Sequence, residues 1–433
     1  MKHHLIVKTR RPLGQSESIP NWQDFIKDKS VVREHVSPEI DRVLRSFDLR
    51  VWLTHEYKPA SAAGWSKDEQ REGLDRTYRL ILQHDYTLPA DLVARIAVVP
   101  AVEHVHDLVV GEAEIPKPSL AGAMSLDART PGDLIHLAYA QSLTKGMPGV
   151  KIAVLDTGVD MSHKELQGKV ARAADFVDLG GLDTSDFVGD ITGYDDVPED
   201  EVGHGTHVSG IIAARGLRMA EGVAPECSLF AIRVLATMKS GNRYFGAGLP
   251  DNINPAIKLM VDSDVDVINM SLGIKHVGGG LPHADVIKYA LAKNVTVVAA
   301  SGNDGTSERY YPGALPGVFA VGAVDAGGTP AAFTSYGANI SVAAPGVNIY
   351  SSYAHNGYAV ATGTSQASPF VAGMVGLMKS YAAQFGKTLS NVDIRDVLRH
   401  TSDKIDRRLR NEHAGYGLIN MADAFKFLTS QLA

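Results

Sequence analysis

An α/β fold, with a mainly parallel sheet covered by helices on both faces and a small α+β domain ahead of it, is what this sequence predicts. Three observations carry the prediction. After residue 132, short continuous apolar runs recur, the pattern of strands buried on both faces of a parallel sheet. Between them lie stretches suited to helices, so that strands and helices alternate. Before residue 111 the elements are short and mixed, and a segment at 111–132, rich in Gly, Pro, Ala, Ser and acids and containing Pro116, Pro118 and Pro131, reads as an exposed linker between the two parts.

Length and composition agree with this division. The chain has 433 residues, 45% of them hydrophobic, enough for one large domain beside a smaller one. A formal charge of -7 argues against a nucleic acid or an anionic membrane as partner. Residues 1–120 carry 17 Lys and Arg against 18 Asp and Glu, so the acidity belongs to the second part. The single cysteine, Cys227, excludes an intramolecular disulfide framework and a multi-cysteine zinc site, and it reads as a small buried residue. No run of about 18 apolar residues is present, so no transmembrane helix is expected. The stretch Met1–Arg11 is basic, with only Leu5, Ile6 and Val7 consecutive and apolar, short of a signal-peptide core. The expectation is a chain that starts in the cytoplasm, leaves by an unconventional route, or has lost a leader.

Taken in order, Leu5–Val7 reads as an edge strand and Val32–Phe47 shows scattered helical periodicity, while 1–46 is otherwise unassigned. Leu49–Leu53 reads as a strand. The capping box Ser66-Lys67-Asp68-Glu69 predicts a helix running towards Leu82. A short helix over Pro89–Ala97 stops near Pro100, and Val102–Val110 is a further strand. Beyond the linker, buried strands are expected at Val150–Leu155, Ser228–Leu235, Val265–Met270, Asn294–Ala300 and Val318–Val324. Helices are expected at His204–Ala214, Asn254–Val261 and His283–Lys293. In such sheets functional groups gather at the carboxyl ends of the strands.

Gly363-Thr364-Ser365-Gln366-Ala367-Ser368-Pro369, followed by the apolar run Phe370–Met378, pins a serine between a glycine turn and a proline suited to the first turn of a helix. Such a corner, with helix amides beside it, suits a nucleophile; it also suits an ordinary turn before a buried helix. The first buried strand runs into Asp156-Thr157-Gly158, where a carboxylate serves equally as a ribose or metal ligand. Gly203-His204-Gly205-Thr206-His207-Val208 puts a histidine at the mouth of a helix. His204 and His207 are spaced to share a metal, but there is no intervening Glu and no third ligand, so His207 reads as a packed or hydrogen-bonded helix residue. Ala299-Ala300-Ser301-Gly302-Asn303-Asp304 ends a buried strand in a Gly-Asn turn; the amide of Asn303 suits an oxyanion, or merely a left-handed backbone. An Asp, a His, an Asn and a Ser at strand ends or helix starts of one sheet form the set that acyl transfer requires.

Together with Ser271-Leu272-Gly273, these segments resemble the subtilisin-like serine peptidases (subtilases), in that family's order Asp, His, Ser. The resemblance covers about 130–425 and extends to Val223-Ala224-Pro225, Ala343–Gly346 and Gly415–Asn420. It implies Ser365 as nucleophile, His204 as general base, Asp156 orienting His204, and Asn303 with the Ser365 amide as the oxyanion hole. Ser271, Leu272 and Gly273 would pair with the substrate backbone and, with Ala300, Ser301 and Gly302, wall the S1 pocket. The front domain resembles the family's inhibitory propeptide. The implied division is 1–115 as inhibitor and folding aid, 116–132 as a linker with the processing site, and 133–433 as the catalytic domain. Its partners would be a peptide or protein substrate and its own N-terminal domain, with neither nucleic acid nor membrane. Cleavage is expected between about Glu114 and Ser125.

Two departures stand out. Gln366 occupies the position where the family most often has Met, which alters local contacts but removes no catalytic group. The stretch Asp178–Gly203 holds nine acids and no Lys or Arg. It is a solvated loop, a calcium site drawing on Asp183, Asp186, Asp190, Asp195, Asp196 or Asp200, or a flank that favours basic substrates. No cofactor is expected for the chemistry; calcium is expected at most as a structural ion. The loop Ala214–Gly222 lacks the Asn-rich sequence with which many subtilases bind calcium. A catalytically silent scaffold is disfavoured by the intact set of four residues. An α/β-hydrolase esterase is disfavoured because Gly363-Thr364-Ser365-Gln366-Ala367 lacks the second glycine of that motif.

Overall fold

The computed structural model describes residues 3–14, 19–84, 88–107, 111–114, 119–120, 130–178, 185–191, 195–241, 243–275 and 281–432. The front unit contains β1 (His4–Thr9), α1 (Trp22–Lys27), α2 (Pro38–Ser46), β2 (Val51–His55), α3 (Lys67–Glu72), β3 (Thr77–Leu82), α4 (Leu92–Ala97) and β4 (Val102–Asp107). Its strands form an antiparallel sheet in the order β2-β3-β1-β4. The strand expected at the edge is therefore an inner strand. Its backbone pairs with β3 on one side and β4 on the other; of its two faces, Leu5 and Val7 join a core with Ile40, Leu44, Leu92 and Ile96, while His4 and Lys8 point the other way, to partners in the second unit. The helix opened by the Ser66 capping box ends at Glu72 instead of running towards Leu82. Gly73 caps it in a left-handed conformation (φ 76°), and Thr77–Leu82, rich in aromatic and branched residues, becomes β3. In the stretch of scattered periodicity, Ser37 caps α2 and Pro38 occupies its first position.

The expected exposed linker is in part paired. It contains β5 (Gly111–Glu114) and β6 (Ser119–Leu120), and α5 (Pro131–Leu134) and α6 (Leu137–Leu143) follow. The rest of the expected processing segment lies outside the described residues. The second unit continues with β7 (Lys151–Asp156), β8 (Val170–Asp175), β9 (Phe187–Val188), α7 (His204–Ala213), β10 (Ser228–Arg233), β11 (Ala236–Ser240), β12 (Arg243–Gly248) and α8 (Pro250–Asp262). Then come β13 (Val267–Met270), β14 (Ile274–Lys275), α9 (Ala284–Ala292), β15 (Thr296–Ala300), β16 (Tyr310–Tyr311), β17 (Phe319–Val324) and β18 (Ile340–Pro345). The chain closes with β19 (Ile349–Tyr353), β20 (Gly357–Ala361), α10 (Thr364–Gln384), α11 (Asn391–Thr401) and α12 (Met421–Leu432).

Seven strands build one parallel sheet in the order β18-β17-β15-β13-β7-β10-β8. The pleat of β7 shows how both faces are filled. Ile152 and Val154 join the core shared with α7 and α10, whereas Ala153 and Leu155 join the core shared with α8 and α9. That two-sided burial is what the continuous apolar runs encode. β12 carries two neighbours, β11 on one side and β5 on the other, so residues 111–114 extend a sheet of the second unit; β5 also runs alongside β14. β6 pairs with β20.

The front sheet rests on α8 and α9. Lys8 reaches Asp285 at 2.8 Å, Lys258 reaches Glu69 at 2.7 Å, and Lys293 reaches Asp68 at 2.7 Å. Beside them His4 meets Asp251 at 2.8 Å, and the Arg79 guanidinium donates to the Asp251 carbonyl at 2.8 Å. No described helix is long and apolar enough to cross a membrane.

Candidate active site

The carboxyl edge of the sheet gathers Asp156 at the end of β7, Ser271 just past β13 and Asn303 in the turn after β15. Against this edge stand the N-termini of α7, which begins at His204, and α10, which places Ser365 as its second residue. Gly205 permits the close approach of α7: a Cβ there would fall 2.1 Å from the Gly158 carbonyl oxygen.

His204 Nδ1 lies 2.6 Å from Asp156 Oδ1, and both side chains are buried. The same carboxylate oxygen accepts the Thr157 amide at 2.8 Å, which fixes its orientation. Burial opposes a charge on His204, but the charge and hydrogen bond of Asp156 outweigh it and hold the imidazole above its ordinary pKa. His204 Nε2 makes no hydrogen bond with a described residue. Ser365 Oγ donates to the Ser271 carbonyl at 3.0 Å, so rotation about its Cα–Cβ bond is needed before it can use His204.

Asn303 is held by its acceptor end. Its Oδ1 takes the Thr364 amide at 2.8 Å and the Thr364 hydroxyl at 2.9 Å, which leaves its Nδ2 donors uncommitted next to the start of α10. The Ser365 N–H belongs to the first turn of α10, where amides have no partner within the helix. Two donors and the positive end of a 21-residue helix thus adjoin the serine.

Of the six residues expected to contact substrate, Ser271 has a different use for its side chain. Its hydroxyl donates to the Ser365 carbonyl at 2.9 Å, meets Ser368 Oγ at 2.8 Å and accepts from Asn269 at 3.0 Å, so it fastens the first turn of α10 to the end of β13. Leu272 is buried, Gly273 half-buried, and Ala300 and Ser301 are buried at the end of β15 beside half-buried Gly302. His207 faces inwards; its Nε2 meets the carbonyls of Ile349 and Ala359 at 3.1 and 3.2 Å, and burial lowers its pKa to about 3.

Asp200 is the residue whose role the sequence did not disclose. Offered as a calcium ligand, it is buried and fully engaged with protein donors. It accepts from Gly203 N at 2.8 Å, Thr157 Oγ1 at 2.9 Å, Thr206 N at 2.8 Å and Thr206 Oγ1 at 2.6 Å. It joins the turn after Asp156 to the first turn of α7, and so sets the two ends of the Asp156–His204 pair. An acid placed four residues before a helical histidine is the capping signal that could have revealed it. Asp183 lies outside the described residues. Among the described residues no group of three or more His, Cys, Asp or Glu is set to hold a metal, and the Asp200 carboxylate is taken up by four protein donors. The acidic loop is instead tied to Arg233, which pairs with buried Asp175 at 2.5 Å and donates to the Asp190 carbonyl at 2.5 Å. The loop at 214–222 is organised by buried Glu165, whose carboxylate accepts from Leu217 N at 2.9 Å, Arg218 N at 2.7 Å and Tyr358 Oη at 3.1 Å.

Comparison with known proteins bears on the family of the chain. The model described as "Subtilase family" matches residues 147–417. The chain is similar to a thermophilic serine proteinase of Bacillus sp. (strain AK1), 39% identical over 291 residues, which is 67% of this chain and 65% of that protein. The match thus spans slightly less than two thirds of that relative's own length. Thermitase of Thermoactinomyces vulgaris is 38% identical over 273 residues, 63% of this chain and 87% of thermitase. Subtilisin DY of Bacillus licheniformis is 38% identical over 280 residues, 64% of this chain and 90% of that protein.

Proposed function

The chain belongs to the subtilase family, and from that premise we propose that it is a serine endopeptidase, made as a self-inhibited zymogen, that cleaves its own chain between the front and catalytic units. The observation that carries the reading is the buried Asp156–His204 pair at 2.6 Å, whose histidine begins α7, the helix that packs against α10, whose first turn presents Ser365.

Acylation follows from that arrangement. Ser365 Oγ leaves the Ser271 carbonyl, passes its proton to His204 Nε2 and bonds to the scissile carbonyl carbon, whose oxygen takes up the displaced electron pair. Asp156 holds the Nδ1 proton of His204 and stabilises the imidazolium. Asn303 Nδ2 and the Ser365 amide donate to the oxyanion; loss of one such donor costs on the order of 100- to 1000-fold in kcat. His204 returns its proton to the departing amine, and water repeats the sequence on the acyl-enzyme.

The self-inhibited state is supported by the chain's own path. Residues 111–114 run between β12 and β14 as an added strand, the mode in which an extended peptide binds a sheet edge. Neither the described acids nor the loop at 214–222 assigns a calcium ion, and no step depends on one. The purified full-length chain is expected to shorten on standing, as read by intact mass, and to label with a fluorophosphonate once shortened. Ser365→Ala is expected to stay full length and unlabelled; self-processing by that variant would overturn the zymogen reading.

A further inference from the structure

Tyr310 meets both glycines of the segments expected to wall the S1 pocket. A Cβ built on Gly273 would lie 2.9 Å from Tyr310 Cβ, and one built on Gly302 would lie 2.4 Å from Tyr310 Cδ2. The tyrosine therefore spans the gap between Ser271–Gly273 and Ala300–Gly302. It is fixed there from three sides. β16 pairs with β14 so that Tyr310 sits opposite Lys275. Its phenol donates to the Asp304 carboxylate. Lys275 Nζ lies 5.4 Å from the ring centroid and is itself held by Asp304 and Glu308, each at 2.9 Å. With its charge matched by two carboxylates, Lys275 offers little to an acidic substrate side chain.

We propose that Tyr310 is a specificity-determining residue: its ring forms a raised floor in the S1 pocket and restricts the residue on the acyl side of the scissile bond to small side chains, namely Gly, Ala and Ser. This rests on the peptidase reading. A ring lodged between two backbone walls leaves no depth for an aromatic or long aliphatic group, whereas a methyl or hydroxymethyl group needs none.

The test uses the full-length chain, left to mature, with active sites counted by fluorophosphonate titration. Peptide anilides that differ only at P1, with Ala, Leu or Phe, are then compared by kcat/KM. Wild type is expected to favour Ala over Phe by at least about 10-fold, and Tyr310→Ala to shift that ratio towards Phe by about 10- to 200-fold, the range that pocket volume commands. Tyr310→Phe, which keeps the ring and loses the Asp304 bond, is expected to retain the preference for Ala. Titratable enzyme that cleaves after Phe as fast as after Ala overturns the Tyr310 inference alone, whether or not the variants fold. Enzyme that neither labels nor cleaves any of the peptides overturns the peptidase reading and this inference with it.

Discussion

Two histidines three residues apart on α7 are given opposite chemistry by their neighbours. His207 has only backbone carbonyls to face, so burial keeps it neutral. His204 is as buried, yet the Asp156 carboxylate favours its charged form. A general base works only when neutral, so a raised pKa moves the acid limb of kcat/KM to higher pH. That limb is expected above about 6.5, the value of a free imidazole. Asp156→Asn should move it to lower pH and reduce kcat on the order of 10,000-fold, measured across pH 5 to 9. Gln366, next to Ser365, is fully buried, and among the described residues neither of its amide atoms has a hydrogen-bond partner. Gln366→Met keeps the volume and removes the stranded polar atoms. It is expected to raise stability by about 1–3 kcal/mol in denaturant titrations; a loss of stability would mean that the amide has a partner in solution.

At the scale of elements, α8 shows how a helix defect becomes a docking point. Pro255 lies inside α8 and has no N–H, so the carbonyl four residues earlier, that of Asp251, lacks its helical partner. Arg79 of the front unit donates to that carbonyl at 2.8 Å while its guanidinium pairs with Glu56 at 2.8 Å. Pro255→Ala supplies a competing N–H within the helix. The helix itself should gain stability, since an internal proline costs about 3 kcal/mol. Docking of the front unit should weaken by about 1 kcal/mol, roughly fivefold in its dissociation constant, because the carbonyl still has a second lone pair. An unchanged constant would show that Arg79 takes no part in docking. α7 follows the same logic from the other end: Asp200, outside the helix, satisfies amides that its first turn leaves open and thereby orients His204.

In the whole molecule, docking of the two units is linked to pH through His106. It lies 3.4 Å from Asp251, with His4 on the same carboxylate and His104 and Glu56 nearby. Burial disfavours its charge, but the hydrogen bond and charge of Asp251 prevail and raise its pKa. A raised histidine contributes its full stabilisation below the undocked value, near 6.5, and loses it as pH rises through the docked value. Burial also pushes Glu56 up to about 7, which works in the same direction. His283, lowered to about 4 by burial, and His104, lowered for the same reason, act oppositely below pH 6.5. The dissociation constant of the front unit from the second unit is therefore expected to increase from pH 6.5 to 8.5, and His106→Gln to flatten that rise; a constant that falls over this range reverses the sign. The parallel sheet, its helices on both faces, and Asp156, His204, Asn303 and Ser365 were legible in the sequence because each is written locally: continuous apolar runs for two-sided burial, and Gly-bounded motifs for strand ends and helix starts. Inner and edge strands of the front sheet were not, since the inner place of β1 depends on pairing with β3 and β4, which lie about 70 to 100 residues further along the chain. The helix expected to run towards Leu82 failed because a glycine cap and a new pairing partner outweighed the helical start signal. The use of Asp200 as a positioning acid, of Ser271 as a brace for α10 and of Tyr310 as a bridge between two glycine walls was decided by tertiary structure alone, because hydrogen bonding and steric exclusion act between residues far apart in the chain, and no local pattern records which neighbour arrives.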